Sequence, residues 1–518
     1  MNLAQFLRRN AVHQPDAEAV VCEQTRLTYA QLDHDSDRLA AALQDLGLAA
    51  GDRVATLSWN CAELVVTEFA LYKGGFVRVP INARLSEGEV AHLLRESDAR
   101  VLLAGPEHMP TAVAAAADSP VEHVVGLPGA EGAQHSYADF LSRTDARPTW
   151  AQVRPEDPAV LHFTSGSTGA LKAAVQTQGN RLALMRKSAS SSEARVGPGR
   201  RQLLVGPITH ASGMPIIGTA FAGGCLVVLR GFEPEQVLDT IQRERVTHVL
   251  LIPTMINSIL QTCSRDDFDL SSLERVVYGA APMTPTRIRA AWDFFGPVLA
   301  QAYGAGETTS AVMFLTTEDH RRAIEDGEQE LLSSCGRPAT EAEVLVVNDD
   351  FREVPPGEVG EIVVRGPEVV PGYHEAPELT ARSFRDGWFF TGDLATRRED
   401  GYVFIVDRKK DMIISGGFNI YCVEVEAVLH CHPDIRDAAV VGVPDDQWGE
   451  AVKAVAVRRP GSAVDAESLI EFCGERLARM KRPRSVDFVE ALPINQNGKI
   501  DRKAIRETYW TGAERRVN

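Results

Sequence analysis

A chain of 518 residues is too long for one ordinary hydrophobic core, so two or more domains are expected. Its formal net charge of −17 argues against broad contact with nucleic acid or an anionic membrane surface. Hydrophobic residues make up 44% and charged residues 24%, which is the balance of a globular protein without a membrane span. The eight cysteines form no CxxC pair, and the first ten residues lack the layout of a signal peptide. Both features predict a cytoplasmic protein with reduced thiols.

The N-terminal part of the chain alternates helical stripes with short apolar runs. Thr28 and Gln31 form a capping-box pattern, and leucines then recur at helical spacing up to Gly47. Strands are predicted at 53–57, 101–103, 159–163, 202–205, 246–252 and 275–278. Helix-length segments separate these runs, a pattern typical of α/β folds with largely parallel sheets.

Beyond about residue 340 the pattern changes. Short β-type runs with glycine and proline between them are found at 344–347, 361–364, 402–405 and 412–414. From Val423 onward helical and strand patterns mix again over about 100 residues, which is a usual domain size. The charged turn at 407–411 precedes this last region, so we place a domain boundary there.

The most informative string, TSGSTGALK, follows the run at 159–163 and is expected to precede a helix. Hydroxyl and backbone N–H groups can surround phosphate oxygens, and a lysine adds positive charge. A serine- and glycine-rich surface turn is the alternative for such a string, and its spacing differs from that of a Walker A loop. The candidate phosphate ligands are Thr164, Ser165, Gly166, Ser167, Thr168, Gly169 and Lys172.

This string resembles the signature loop of the adenylate-forming superfamily, which contains acyl-CoA synthetases, adenylation domains of peptide synthetases and beetle luciferases. Further segments similar to motifs of that family follow in order over nearly the whole chain, which looks closest to the acyl- and aryl-CoA ligases. The resemblance implies ATP-dependent activation of an organic acid as an acyl-AMP, with release of pyrophosphate. Transfer of the acyl group to coenzyme A would follow.

The resemblance also implies a large N-terminal domain of parallel-type α/β sheets with a small β-barrel-like subdomain, followed by a small mobile α+β C-terminal domain. We therefore expect an N-terminal domain over 1–407, a hinge over 408–410 and a C-terminal domain over 411–518. Lys410 falls at the hinge position of the family, whose C-terminal domain rotates between an adenylation pose and a thioester-forming pose. Lys409 is expected to be an ordinary surface charge.

Two segments resemble the adenine site of the family. In the first, YGAAP, the small residues Gly279, Ala280, Ala281 and Pro282 would let the backbone lie close to a flat base. A strand end followed by a turn is the alternative for this segment alone. The second, QAYGAGET, resembles the YGxTE motif and implies that Tyr303 stacks on the adenine.

The same motif and a segment similar to WxxTGD imply contacts to a metal ion and to the ribose. Glu307 would hold Mg²⁺ together with Thr168, since a hard cation takes carboxylate and phosphate oxygens. Asp393 would accept hydrogen bonds from both ribose hydroxyls, and Arg408 would contact the ribose as well. The expected cofactors are therefore ATP and Mg²⁺.

The string PINQNGKIDR resembles the last motif of the family and implies that Lys499 reaches the acid and the α-phosphate. Attack of a carboxylate on a phosphate brings two anions together, so a mobile ammonium suits the transition state. On its own, a lysine in a glycine-containing turn would be exposed and inert.

Coenzyme A is implied as the acceptor by SGGFN, which resembles the glycine-lined tunnel for pantetheine. Gly416 and Gly417 would leave room for the cofactor because they carry no side chain. Trp448 and Arg482 lie where the coenzyme A ligases of the family hold the adenine end of the cofactor. Arg482 fits a Lys-Arg-Pro surface turn equally well.

The string PITHASG resembles the segment that begins the acyl pocket and implies that His210 lies beside the acid. A satisfied core histidine is an equal alternative. The aspartate with which amino-acid-activating relatives pair the substrate amine is absent, so the expected small-molecule partner is an acid other than an amino acid. Aryl, fatty and other carboxylic acids stay open, and so does a homodimer.

The chain departs from the family motifs at Leu171, Ala173 and Gly306, where proline, glycine and threonine are usual. These departures keep open the adenylation of an unusual anion such as nitrite. A ligase that loads an acyl carrier protein stays open too, and so does a non-catalytic nucleotide-binding protein. The charged residues that the motifs retain argue against a non-catalytic protein.

Overall fold

The computed structural model describes residues 2–142, 147–165, 171–191, 193–445, 447–494 and 500–510. The chain divides into two compact units, Met1–Glu343 with Val364–Phe389 and Val344–Val363 with Phe390–Asn518. The larger unit is built on sheets of mainly parallel strands, which confirms the predicted α/β class. None of the described helices is both long enough and apolar enough to cross a membrane.

The described strands up to residue 343 are β1 (Glu18–Cys22), β2 (Thr25–Thr28), β3 (Arg53–Leu57), β4 (Val77–Ile81), β5 (Ala99–Ala104), β6 (His123–Gly126), β7 (His135–Ser136), β8 (Pro158–Ser165), β9 (Leu171–Thr177), β10 (Arg201–Leu204), β11 (Cys225–Val228), β12 (His248–Leu251), β13 (Arg275–Gly279), β14 (Leu299–Gly304), β15 (Ala311–Leu315) and β16 (Arg337–Pro338). The helices of the same region are α1 (Gln5–His13), α2 (Tyr29–Asp45), α3 (Ala62–Gly74), α4 (Glu87–Ser97), α5 (Met109–Ala117), α6 (Tyr137–Leu141), α7 (Gln178–Ser190), α8 (Pro215–Ala222), α9 (Pro234–Glu244), α10 (Pro253–Thr262), α11 (Pro285–Phe295) and α12 (Thr317–Ile324).

Within the described part of the chain these strands form two sheets. A nine-stranded sheet has the order β16-β15-β14-β13-β12-β10-β11-β1-β2, and a seven-stranded sheet has the order β7-β6-β5-β3-β4-β8-β9. The strands from β14 to β1 run parallel in the first sheet, as do those from β7 to β8 in the second. Every residue of β4 and β11 is buried, as expected for parallel strands covered on both faces.

Local sequence signals explain where several elements begin. The Thr28 side chain accepts a hydrogen bond from the Gln31 N–H, and the Gln31 side chain accepts one from the Thr28 N–H, so the predicted capping box at α2 is confirmed. The helix expected after TSGSTGALK is α7, but a strand that was not predicted comes before it. Residues 171–177 form β9, which pairs antiparallel with β8, and α7 begins only where Thr177 caps it. Pairing along β8 satisfies the backbone groups of this segment, which a local helix pattern cannot anticipate.

The remaining strands are β17 (Glu343–Val347), β18 (Gly360–Arg365), β19 (Phe384–Arg385), β20 (Trp388–Arg397), β21 (Val403–Arg408), β22 (Ile413–Ser415), β23 (Phe418–Ile420), β24 (Ile435–Asp445), β25 (Gly449–Arg458) and β26 (Ser485–Phe488). The remaining helices are α13 (Pro377–Ser383), α14 (Cys422–His430), α15 (Ala466–Gly474) and α16 (Arg502–Glu507).

Two five-stranded sheets follow from these strands in the described residues. One has the order β17-β18-β20-β19 with β21 beside β20, and the other has the order β23-β22-β25-β24 with β26 beside β25. Ile413, Val425, Val440 and Leu469 belong to the hydrophobic core that α14 and α15 form with the second of these sheets. The expected hinge at 408–410 lies between the two sheets along the chain and stays a prediction.

Candidate functional site

The predicted phosphate loop connects the two strands of an antiparallel pair, β8 and β9. Thr164 lies opposite Lys172 in this pair, so the residues at the two ends of the loop are held in register. Ser165 ends β8. The predicted ligands Gly166, Ser167, Thr168 and Gly169 lie outside the described residues.

Glu307 lies at the centre of a hydrogen-bonded cluster next to this strand pair. The Thr164 hydroxyl donates to Glu307 Oε1 at 3.2 Å, and the Tyr373 hydroxyl donates to the same oxygen at 2.8 Å. The Lys172 ammonium lies 5.4 Å from the centre of the Tyr373 ring. Burial lowers the pKa of Lys172, and the negative charge of Glu307 opposes that shift. A carboxylate, an ammonium and two hydroxyls thus converge from separate segments of the chain.

Tyr373 was not among the predicted site residues. It forms an antiparallel bridge with Ala174 of β9, and the Val370 N–H donates to the Glu307 carbonyl oxygen at 2.9 Å. These backbone contacts fix the Tyr373 hydroxyl beside the Glu307 carboxylate. Its signal in the sequence is weak, because a tyrosine after a Pro-Gly pair is an ordinary turn pattern.

The predicted adenine segment follows β13. Gly279 pairs with Ala302 of β14, and a side chain on Gly279 would collide with the Ala302 carbonyl oxygen, so glycine is required there. Ala280 has a left-handed backbone with a φ of 65°, which turns the chain out of the sheet. The structure thus brings 279–282 beside the strand that carries Tyr303.

The departure from the family motif at Gly306 is explained by His162. A Cβ at position 306 would lie 2.5 Å from Thr164 Cγ2 and 2.7 Å from His162 Cδ2. His162 and Thr164 are two residues apart on β8, so both side chains leave the same face of the strand. The Thr164 methyl group and the imidazole thus occupy space that a Cβ at 306 would need. His162 was not predicted, although a histidine inside an apolar strand beside the signature loop was a usable signal.

His210 and His162 lie in the wall of a small polar cavity. Their rings are 5.6 Å apart and inclined at 68°. The cavity measures about 20 Å³, and Arg78 and Arg181 also line it. Burial lowers the pKa of His162 to about 3, and electrostatic interactions with His210 and the two arginines add to that shift. The imidazole of His162 is therefore neutral at physiological pH.

In the second unit, the two predicted ribose contacts lie opposite each other on β20 and β21. Arg408 Nε donates to Asp393 Oδ1 at 3.1 Å. The Asp393 side chain is largely buried, whereas the Arg408 side chain is 54% exposed. The pair therefore holds the carboxylate in place and leaves the guanidinium accessible.

The predicted hinge, 408–410, begins at Arg408, the last residue of β21. Lys409 Nζ donates to Asp349 at 2.9 Å and to Glu361 at 3.2 Å, as an ordinary surface charge would. Burial lowers the pKa of Lys410 and raises the pKa of Asp407 to about 7. Lys409 and Lys410 are both exposed residues of this turn.

Gly416 and Gly417 turn the chain between β22 and β23 with φ values of 58° and 83°. The Gly416 N–H donates to the Trp448 carbonyl oxygen at 2.9 Å, and a Cβ on Gly416 would lie 2.5 Å from Trp448 Cε3. The structure therefore brings Gly416, Gly417 and Trp448 together. The guanidinium of Arg484 lies over Trp448, 5.2 Å from the centre of its ring. Arg482 lies instead beside Gly474, at the end of α15.

Lys499, the predicted catalytic lysine, lies outside the described residues. Among the residues that are described, no group of three or more His, Cys, Asp or Glu side chains could hold a metal ion.

Comparison with known proteins gives matches over the whole chain. The model of the family "AMP-binding enzyme" matches residues 7–374, and that of the "AMP-binding enzyme C-terminal domain" matches residues 424–499. A feruloyl-CoA synthase of Amycolatopsis sp is 39% identical over 97% of this chain and 98% of its own length. The fatty acid–[acyl-carrier-protein] ligase ScoC of Streptomyces coeruleorubidus is 35% identical over 100% of this chain and 98% of its own. The structure of the amide bond synthetase McbA from Marinactinospora thermotolerans superposes with a TM-score of 0.88 at 33% identity, covering 98% of this chain and all of that one.

Proposed function

This chain belongs to the family of AMP-binding enzymes and is an AMP-forming acid:coenzyme A ligase, and we propose that Lys172, Glu307 and Lys499 carry its first half-reaction. A carboxylate oxygen of the acid attacks the α-phosphorus of ATP, the bond to the bridging oxygen of pyrophosphate breaks, and pyrophosphate leaves. The observation that supports this assignment best is the convergence of Thr164, Lys172 and Glu307 beside the predicted phosphate loop.

The charges of these residues suit the anions that meet in this step. The Lys172 ammonium would bind phosphate oxygens of ATP, and the Lys499 ammonium would stabilise the charge that develops as the carboxylate approaches the α-phosphate. His210 would form part of the wall beside the acid. The step needs no proton transfer from the acid or from Lys499, because the acid reacts as a carboxylate, which is already a nucleophile.

The Glu307 carboxylate supplies oxygen atoms that suit a Mg²⁺ ion. Its carboxylate accepts hydrogen bonds from two hydroxyls, and no cationic side chain of the described residues forms an ion pair with it. Oxygen atoms from one carboxylate and from phosphates are the usual ligands of Mg²⁺, so Glu307, with Thr168, would hold the ion. When bound, Mg²⁺ would neutralise part of the phosphate charge.

The nucleotide base and the ribose are assigned to two separate sets of residues. The small residues at 279–282 and the ring of Tyr303 would cover the two faces of adenine. Asp393 would accept hydrogen bonds from the ribose hydroxyls, and its ion pair with Arg408 would fix the orientation of the carboxylate. This assignment rests on the motifs together with that ion pair.

Coenzyme A is the acceptor of the second half-reaction, in which its thiol attacks the acyl carbon and AMP leaves. We assign its binding to Gly416, Gly417, Trp448 and Arg482. The left-handed glycine turn packed against Trp448 supports the first three positions. Loading of an acyl carrier protein, the activity for which ScoC is named, is the alternative for the acceptor. A cytoplasmic location and a homodimer stay predictions.

The first half-reaction is tested by ATP–pyrophosphate exchange against a panel of acids without coenzyme A. We expect exchange with at least one carboxylic acid and its loss in Lys499→Ala. Exchange by Lys499→Ala at the parent rate would overturn the role of Lys499. If nitrite is the only anion that supports exchange, the substrate is an inorganic anion and not a carboxylic acid.

The acceptor is tested by mass analysis of the products after addition of coenzyme A or of a phosphopantetheinylated carrier protein. We expect an acyl-CoA thioester and AMP with the free cofactor. Product formed only on the carrier protein would contradict coenzyme A as the acceptor.

A further inference from the structure

A buried network of three charged side chains lies beside the cavity that His162 and His210 line. Glu68 Oε2 accepts a hydrogen bond from Arg78 Nη1 at 2.7 Å, and Glu68 Oε1 accepts one from Arg181 Nη2 at 2.7 Å. The three residues are 2%, 6% and 4% exposed, respectively. Two guanidiniums thus share one carboxylate in the interior of the first unit.

The other groups that contact the two arginines are neutral. The Tyr72 hydroxyl accepts from Arg181 Nε at 2.9 Å, and burial raises the pKa of that hydroxyl to about 12. The Gln176 side-chain oxygen accepts from Arg181 Nη1, and the Ile208 carbonyl oxygen accepts from Arg78 Nη2. Among the described residues, Glu68 is the only carboxylate paired with either guanidinium. The network therefore carries one uncompensated positive charge.

An uncompensated buried charge is costly, because desolvation removes its interaction with water and nothing replaces it. A ligand of opposite charge bound beside the network would offset that cost. Here the ligand would be an anion, since the excess charge is positive. A guanidinium carries five N–H donors, so each arginine keeps N–H groups beyond those that already donate, and a carboxylate is a strong acceptor for them.

The position of the network points to the acid as the source of that anion. Arg78 and Arg181 line the same cavity as His210, which lies in the segment predicted to begin the acyl pocket. Gln176 connects this end to the phosphate side, since its side chain donates to the Gly306 carbonyl oxygen at 3.3 Å. The cavity of about 20 Å³ has room for about one water molecule, so only the terminal atoms of a ligand would enter it.

We propose that the acid activated by this enzyme carries a second anionic group, a carboxylate or its equivalent, which Arg78 and Arg181 bind at the inner end of the acyl pocket. The proposal rests on the proposed function, because it assigns the wall beside His210 to the acid. One carboxylate reacts with ATP, and the second supplies the charge that the network lacks. An unsubstituted aliphatic or aryl acid would leave the charge uncompensated and is a poor substrate.

The test compares pairs of acids of equal chain length with the purified parent enzyme. Pyrophosphate release is measured with butanoate against succinate, with hexanoate against adipate, and with 4-hydroxycinnamate as an aryl acid. A site built around a specific polar group rejects analogues that lack it, so we expect kcat/KM for one of the diacids to exceed that of its monoacid by about 100-fold or more. Equal or better use of the monoacids at every length overturns the proposal.

Variants of the network supply a second readout that distinguishes charge from packing. Arg78→Gln brings the summed charge of the network to zero and is expected to lower the preference for the diacid at least about tenfold, mainly through KM. Glu68→Gln also replaces a charged side chain of the network by glutamine, but it makes the network more positive. It keeps both arginines, so it is expected to keep the preference for the diacid. Equal loss of preference in both variants overturns the charge argument.

Failure of the inference and failure of the proposed function give different results. If monoacids release pyrophosphate and diacids do not, the enzyme is an acid-activating ligase and only the second anionic group is wrong. If no acid of any kind releases pyrophosphate, the proposed function fails as well. If a network variant does not fold, the comparison of acid pairs with the parent enzyme decides alone.

Discussion

The residues around Glu307 and those around Gly416 are assigned to different half-reactions, and they are built in different ways. Glu307 lies among side chains from separate strands, where two hydroxyls donate to one of its carboxylate oxygens. Gly416 lies on one short turn, next to Phe418 and Trp448, which are 52% and 37% exposed. The first region is a convergent polar cluster, and the second is an open turn with aromatic surface.

This difference indicates how each region would act. A cluster with fixed hydrogen-bond partners provides charges that are already oriented before the reaction, which is the usual basis of electrostatic catalysis. An exposed glycine turn provides room rather than charge, because a ligand chain can approach its backbone closely. Changes at Glu307 should therefore affect chemistry, and changes at Gly416 should affect access.

The largest effect is expected for Glu307→Gln, which removes the negative charge and keeps the shape. Loss of one preorganised charged group from such a site costs about 10²- to 10³-fold in rate. ATP–pyrophosphate exchange measures this loss. Tyr373→Phe is the matched control, because it removes one hydrogen bond to the carboxylate and leaves its charge, so a loss of about tenfold or less is expected. A larger loss in Tyr373→Phe than in Glu307→Gln would reverse the assignment.

A smaller and more selective effect is expected for Gly416→Ala. The new Cβ would lie 2.5 Å from Trp448 Cε3, so the ring must shift, and thioester formation should fall about 10- to 100-fold. Gly417→Ala is the control, because its φ of 83° imposes a similar backbone strain but no atom lies within 4 Å of the new Cβ. Product analysis with coenzyme A compares the two. Equal effects would mean that backbone strain, and not the approach to Trp448, is responsible.

Gly306→Thr, which introduces the residue usual in the family, is expected to destabilise this chain. The new side chain would meet Thr164 and His162, and overpacking of this kind costs about 1–3 kcal/mol. His162→Ala should relieve part of that cost in the double variant. Thermal or urea unfolding of the parent, both single variants and the double variant gives the coupling between the two positions. Simple additivity would show that His162 is not the reason for the glycine.

The smallest effect is expected from the titration of His162. Its pKa is lowered to about 3 in the folded protein by burial, against 6.5 in the unfolded chain, so the unfolded chain takes up the proton first. This group therefore favours folding above pH 6.5 and loses that contribution as the pH falls toward 3. Between pH 6.5 and 5 the loss is at most about 2 kcal/mol. Urea unfolding at both pH values should show a smaller pH dependence in His162→Gln, and an unchanged dependence would assign the titration to other groups.

Local patterns in the sequence predict the α/β class, the cap at Thr28 and most strands, because each depends on residues that are neighbours in the chain. The strand β9 was missed because it forms by pairing with β8, and the local sequence of residues 171–177 does not indicate that pairing. The reason for Gly306 was missed for a similar reason, since His162 comes from a distant strand. The Glu68 network could not be predicted, because its three members meet only in the folded core.

The separation of the two half-reactions is tested most directly by a rapid-quench, single-turnover experiment that quantifies acyl-AMP before and after coenzyme A is added. The parent enzyme and Gly416→Ala are compared with the acid that gives the fastest pyrophosphate exchange. We predict that both proteins form acyl-AMP at similar rates without coenzyme A, and that Gly416→Ala then converts it to the thioester at least about tenfold more slowly. Loss of acyl-AMP formation in Gly416→Ala, or no acyl-AMP in the parent without coenzyme A, would contradict the account.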